Sequence, residues 1–220
     1  MGKVKIGVLG DFTGKVGHVV GRMWKGRNVM AAIPASYNDK NSLSQRMVRA
    51  RFKTLAQMVG NMYGAIEMGF AGKAKQMKFT EGNAFMRINW GAVSVSSPDD
   101  VTVNFPSLLL SVGSLTPVGA AGTVNWGAGT HLTVKFDLTE TAGMPRTDDA
   151  DEVYAVLYSP DLKQTIVSNP AYRVDANMEV EVPAGWNGMD VHLWLMTIGH
   201  GTETNGLVSN SQYVGHGEIQ

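Results

Sequence analysis

Hydrophobic positions change their period twice along this chain. In residues 3–33 short β-prone pieces (KVKI, HVV, NVM) are separated by glycines at 7, 10, 14, 17, 21 and 26. A helix with that many glycines loses about 1 kcal/mol at each relative to alanine, so extended segments joined by turns are expected. Asp11, Phe12, Thr13 and Gly14 supply the expected hairpin connection between KVKIGVLG and KVGHVVG. Such a hairpin arm has little core of its own and needs a sheet to join, in this chain or in a neighbour. Residues 34–42 are turn-rich and read as a linker.

The second pattern is helical. Ser42 and Gln45 have capping-box spacing, and apolar residues follow at 43, 47, 48, 52, 55, 59, 62, 66 and 70. Gly60, Gly64 and Gly69 weaken the second half, so a break near Gly60 is expected. Thr80 is expected to cap a short helix that carries Phe85, Met86 and Ile88 and ends before Trp90. From about residue 100 the period is two. VTVNF, SLLLSVGSL, TVNW, HLTVKFDL, EVYAVLYS, QTIVS, MEVEVP, DVHLWLMTI and the final SNSQYVGHGEI are short alternating runs between Gly, Asn, Asp and Pro clusters. That spacing is the signature of a Greek-key sandwich. Without the Cys…Trp…Cys pattern of antibody domains, a fibronectin-III-like version fits better. The expected fold class is α+β, mainly β: a glycine-rich hairpin arm and helices over 1–95, then an immunoglobulin/fibronectin-III-like β-sandwich over 96–220. Trp186 falls at the corner before the penultimate strand and is expected to pack at the core rim.

Charge adds an asymmetry that the pattern does not show. The chain is neutral, yet residues 1–78 hold 14 of the 19 lysines and arginines and only Asp11, Asp39 and Glu67, a net of +11. Residues 79–220 carry the compensating −11. Lys15, Trp24, Lys25, Arg27, Arg46, Arg49, Arg51 and Lys53 are therefore the candidate contacts, either to a phosphate backbone or to an acidic neighbour. An apolar fraction of 44% with 17% charged residues is globular composition, not that of a disordered chain. There are no cysteines, which excludes disulfides, thiolate metal sites and cysteine nucleophiles. No signal-peptide or membrane-spanning run is present, so a cytoplasmic or virion location is expected.

Little catalytic chemistry is visible. The stretch from Gly10 to Val16 resembles a phosphate loop but is one residue short, and Val16 stands where a hydroxyl is needed. The histidines at 18, 131, 192, 200 and 216 have no metal-binding spacing. Asp148, Asp149, Asp151 and Glu152 form an acidic loop without EF-hand spacing, read as a solvated charged loop rather than a calcium site. No cofactor and no small-molecule ligand is indicated.

The run Gly7, Gly10, Gly14-Lys-Val-Gly17, Val-Val-Gly21 and Trp24-Lys-Gly26 is distinctive. With Ser44-Gln45-Arg46, Arg51-Phe52, Gly69-Phe70, Asn83 and the Leu110-Ser-x-Gly113-x-Leu115 run, it resembles an uncharacterised family of Bacteroidetes proteins with a domain of unknown function. The chain departs from that pattern at Ala31-Ala32-Ile33-Pro34. The resemblance implies a bacterial or phage source and this domain layout, and carries over no known activity. Three functions are expected in order: a non-enzymatic, self-assembling structural subunit of a virion, shell or filament; a nucleic-acid-binding protein; and a carbohydrate-binding module presenting Trp126, Trp186 or Trp194.

Overall fold

In the computed structural model the described residues are 3–4, 12–24, 26–34, 36, 39–119, 123–126, 131–136 and 143–219. The chain divides into two units, Met1–Ser42 and Leu43–Gln220. In the first, the described residues form β1 (Lys3–Val4), β2 (Phe12–Val16), β3 (Val19–Trp24) and β4 (Arg27–Ala32), an antiparallel sheet in sequence order. The expected turn at 11–14 is misplaced: Phe12 to Gly14 lie within β2, and Asp11 is outside the described residues. β2 pairs antiparallel with β1, and the chain reverses again at Gly17 and His18, where Gly17 has φ +59°, the left-handed conformation that a two-residue hairpin turn requires. Gly21 is needed for a different reason. Phe12 lies across it, and a Cβ there would stand 2.7 Å from the phenyl ring. Among the described residues of this unit only Gly21 is buried.

The second unit opens with α1 (Leu43–Asn61), α2 (Tyr63–Met77) and α3 (Glu81–Ile88). The break falls at Met62, two residues past Gly60, and the Thr80 hydroxyl accepts from the Asn83 N–H at the start of α3. The buried stripe runs through Leu55, Met58, Met62, Ile66 and Phe70, whereas Leu43, Val48 and Phe52 are exposed, contrary to the simple stripe expected. A hairpin of β5 (Val93–Ser97) and β6 (Asp100–Val103) follows.

The remaining strands are β7 (Thr123–Asn125), β8 (His131–Lys135), β9 (Glu152–Ser159), β10 (Gln164–Val167), β11 (Ala171–Tyr172), β12 (Asn177–Glu181), β13 (Asp190–Ile198) and β14 (Gln212–Glu218). Among the described residues they form two antiparallel sheets, ordered β12-β8-β7 and β10-β9-β13-β14, with β11 also on β9. Leu132, Val134 and Val180 of the first sheet share a core with Ala155, Leu157, Leu193 and Leu195 of the second. The alternate residues of that second sheet, Val156, Trp194 and Met196, point the other way and pack with Leu55, Ile66, Phe70 and Phe85 of the helices. Strands covered on both faces read as nearly continuous apolar runs, which is the pattern of β9 and β13. The helices thus belong to the same compact unit as the strands, and the division lies at 42/43 instead of near residue 95.

The expected strand over 107–115 does not form, apart from a bridge between Leu115 and Ser209. The segment is buried at Leu108 and Leu110, and side chains satisfy its backbone. Asn89 donates to the Leu109 carbonyl and accepts from the Leu109 N–H, and the Ser211 hydroxyl accepts from the Leu110 N–H. Trp194 Nε1 donates to the Leu108 carbonyl. Those partners replace a neighbouring strand.

Candidate functional site

Cross-strand register decides what the first unit presents. Val16 pairs with Val19 and Val19 with Ala32, while Gly21 pairs with Met30 and Met23 with Asn28, so these residues share one face. Lys15 pairs with Val20, Arg22 with Val29 and Trp24 with Arg27, which places these on the opposite face. The sheet is two-sided: one face is apolar, with Val16, Met23 and Met30 at 50%, 50% and 66% exposure, and the other is basic and carries Trp24. Lys15, Trp24 and Arg27 are thus brought together, joined by Arg22, which sequence reasoning left out. The signal for Arg22 was its two-residue offset from Trp24 in a strand. Lys25 lies outside the described residues.

The other candidates stand on α1. Arg46, Arg49 and Lys53 are spaced three and four apart on one exposed side of the helix. Arg51 does not join them: it is half-buried, with its guanidinium 5.3 Å from the centre of the Trp90 ring.

Two polar clusters lie inside the second unit. Asp151, expected in a solvated loop, is fully buried. Its Oδ1 accepts from the Thr204 hydroxyl at 2.6 Å and the His200 N–H, and its Oδ2 accepts from the Asp148 N–H. Arg173 Nε is 3.4 Å from Oδ2, and its terminal nitrogens donate to the Thr116 and Pro117 carbonyls. Burial pushes the Arg173 pKa down while Asp151 holds it up. These contacts tie four separate loops together, a structural use of the charge. Nearby, Glu152 accepts from the Tyr154 hydroxyl and faces His200 at 3.2 Å. Burial, then the Glu152 bond and charge, push the Tyr154 phenol up to about 12.

The second cluster joins β13 and β14. His192 and His216 are cross-strand partners, and the Tyr213 hydroxyl lies 2.9 Å from His192 Nδ1 and 3.4 Å from His216 Nδ1. Phe105 stacks on the His192 ring at 3.9 Å. Burial lowers the His192 pKa, against the pull of Asp190 and with the help of His216. Among the described residues no group of three or more acidic or histidine side chains is arranged to hold a metal ion. Trp186 and Trp194 are buried, and Trp126 lies against Gly217, where a Cβ would stand 2.6 Å from the indole. Among the described residues no helix is long and apolar enough to cross a membrane.

These features define an α+β protein made mainly of antiparallel strands, with a separate two-faced β arm. The chain belongs to DUF6266, a family of unknown function whose model matches residues 11–215 and so spans both units. No curated protein and no solved structure matches it.

Proposed function

We propose that this chain is a non-enzymatic, self-assembling structural subunit that uses its N-terminal sheet as the contact arm. The observation that carries this reading is the exposed apolar face of that sheet, with Val16, Met23 and Met30 around a unit that has only one buried described residue. A sheet in that condition gains most by covering its face with another chain. The charge division supports the same reading, because opposite fields on one chain suit contacts between copies. In this reading the strand-rich half is an immunoglobulin/fibronectin-III-like body. Counting from β7, the first, second and sixth strands form one sheet, and the third, fourth, seventh and eighth form the other, which supports that assignment.

Light scattering of the full chain across concentration tests the proposal. Species much larger than 23.7 kDa are expected. Replacing Met23 and Met30 by glutamate is expected to reduce them to monomer with unchanged circular dichroism. A wild-type chain that stays monomeric at every concentration sinks the proposal.

A second reading is favoured by one observation, the grouping of Lys15, Arg22, Trp24 and Arg27 on a single sheet face. Basic groups with an interleaved aromatic suit a nucleic-acid strand, which takes phosphate contacts and a stacked base. A gel shift at low salt, steeply weakened by added salt, is its expected mark, and no retardation removes it. The glycan-binding alternative has no comparable support, since Trp186 and Trp194 are core residues.

A further inference from the structure

We infer that the lateral cleft between β10 and β12 receives β4 from the N-terminal sheet of a second copy, so that copies join head to tail. The inference rests on the self-assembly reading above and names the receiving surface that it lacks.

The cleft has a volume of about 590 Å³, with Ile166, Val167 and Pro183 on its apolar side and His131, Glu179 and Glu181 on its polar side. Past Asn169 and Glu179 it continues into a hollow of about 380 Å³ that reaches Asp175. Both walls are sheet edges. Among the described residues β12 is the outermost strand of its sheet, and β10 lies outermost beyond β9.

The edge of β12 is oriented to accept a strand. The Phe136 N–H donates to the Ala176 carbonyl. Antiparallel ladders alternate, so Met178 and Val180 make the bonds to β8, and the backbone N–H and C=O of Asn177, Glu179 and Glu181 point away from it. The side chains of Met178 and Val180 are buried in the core, and those of Glu179 and Glu181 are exposed on the outer face.

The donor has the matching form. Among the described residues β4 is the outermost strand of the N-terminal sheet. The Ile33 N–H donates to the His18 carbonyl, so by the same alternation Asn28, Met30 and Ala32 direct their backbone groups outward. β4 has six residues and β12 five. With β4 laid parallel to β12, each outward-bonding residue sits opposite one whose backbone points away, so the basic face with Lys15, Arg22 and Arg27 continues the face that bears Glu179 and Glu181. Met30 and the rest of the apolar face then turn toward Ile166, Val167 and Pro183. Charge fixes the pairing of these surfaces. Residues 1–42 hold seven lysines and arginines against two aspartates. Between 164 and 190 there are four acids and one base, Arg173, which is spent on Asp151. Main-chain bonds then supply affinity and the two faces supply register, as in strand addition generally. A donor and a receptor on different parts of one chain make a heterologous contact, which propagates.

Edge glutamates also guard sheets against unwanted pairing, and the two roles have opposite signs on mutation. Sedimentation velocity of full-length variants separates them. E179K/E181K and R22E/R27E are each expected to weaken self-association at least tenfold, with folding checked by circular dichroism. Mixed in equal amounts, the two variants are expected to assemble again, because an acidic arm then meets a basic cleft and a basic arm an acidic cleft. Stronger association of E179Q/E181Q, unaltered association of either reversed variant, or a mixture that stays dispersed would overturn the inference while leaving self-assembly standing. A reversed mixture that stays monomeric while its arm cross-links to its own cleft, through Arg27→Cys with Glu179→Cys, identifies docking within one chain and overturns it as well. A wild-type chain that never associates removes the self-assembly reading itself.

Discussion

Asp151 shows how far one side chain's task depends on partners that are distant in sequence. It meets Arg173, Thr204 and the backbone of His200, and the first two are themselves buried. Asp151→Ala leaves the guanidinium buried without its counter-charge, and a loss of about 3–5 kcal/mol is expected, read as a lower urea midpoint. Adding Arg173→Met to that variant is expected to restore part of the loss, since removing both charges costs less than removing one. His192 predicts a pH effect. Burial lowers its folded-state pKa, so the unfolded chain binds the proton first. The stability it contributes is complete above the unfolded value, about 6.5, and is lost as pH falls through the folded value. Unfolding free energy measured at pH 8 and pH 5 is expected to differ less in His192→Phe than in wild type. Neither cluster was legible in the sequence. His192 and His216 meet only because β13 and β14 pair, and an acidic run says nothing about which acid is drawn inside.

At the scale of elements, period and turn chemistry carried most of the information. The limits of β9 and β13 follow directly from the apolar runs, and Thr80 marks the start of α3 by its own hydroxyl. The errors have physical causes. The apolar run at 108–110, bounded by serines, reads like a short strand, but Asn89 and Ser211 bind that backbone first. In the arm Gly14 and Gly17 both have positive φ, but Gly14 is paired with Gly21 inside the ladder, and the reversal falls at Gly17 and His18 between the paired Val16 and Val19. Gly69 makes a test of the helix layer. A Cβ there would stand 2.6 Å from the Ser111 Cβ and closer still to the Leu110 carbonyl. Gly69→Ala is therefore expected to destabilise the second unit despite the better helix propensity of alanine, seen as a drop in melting temperature. Gly21→Val sets the same kind of clash against Phe12, and its expected effect is confined to the arm: assembly is lost and the melting of the second unit is unchanged.

For the whole molecule, one sheet serves two cores. Trp194 and Leu193 are neighbours in β13, yet one packs with the helices and the other with the facing sheet. Phe70→Ala is expected to cost about 3–5 kcal/mol and to lower a single transition for the entire second unit, not to melt the helices alone. Two separate transitions within residues 43–220 would contradict that coupling. Basic and acidic halves are plain in the sequence, and secondary structure type alone puts the domain boundary near residue 95. Shared burial placed it by packing, which no local pattern reports.

That shared sheet also orders events during synthesis. The helical core cannot close until Trp194 and Met196 exist, more than a hundred residues after α1. The arm, by contrast, is complete once residue 32 has been made, and its pairings are local. At roughly 5–20 residues per second, about ten to thirty seconds separate the two. During that interval a nascent chain carries a finished arm and no finished cleft of its own. In the proposed assembly, its first available receptors are chains that have already left the ribosome.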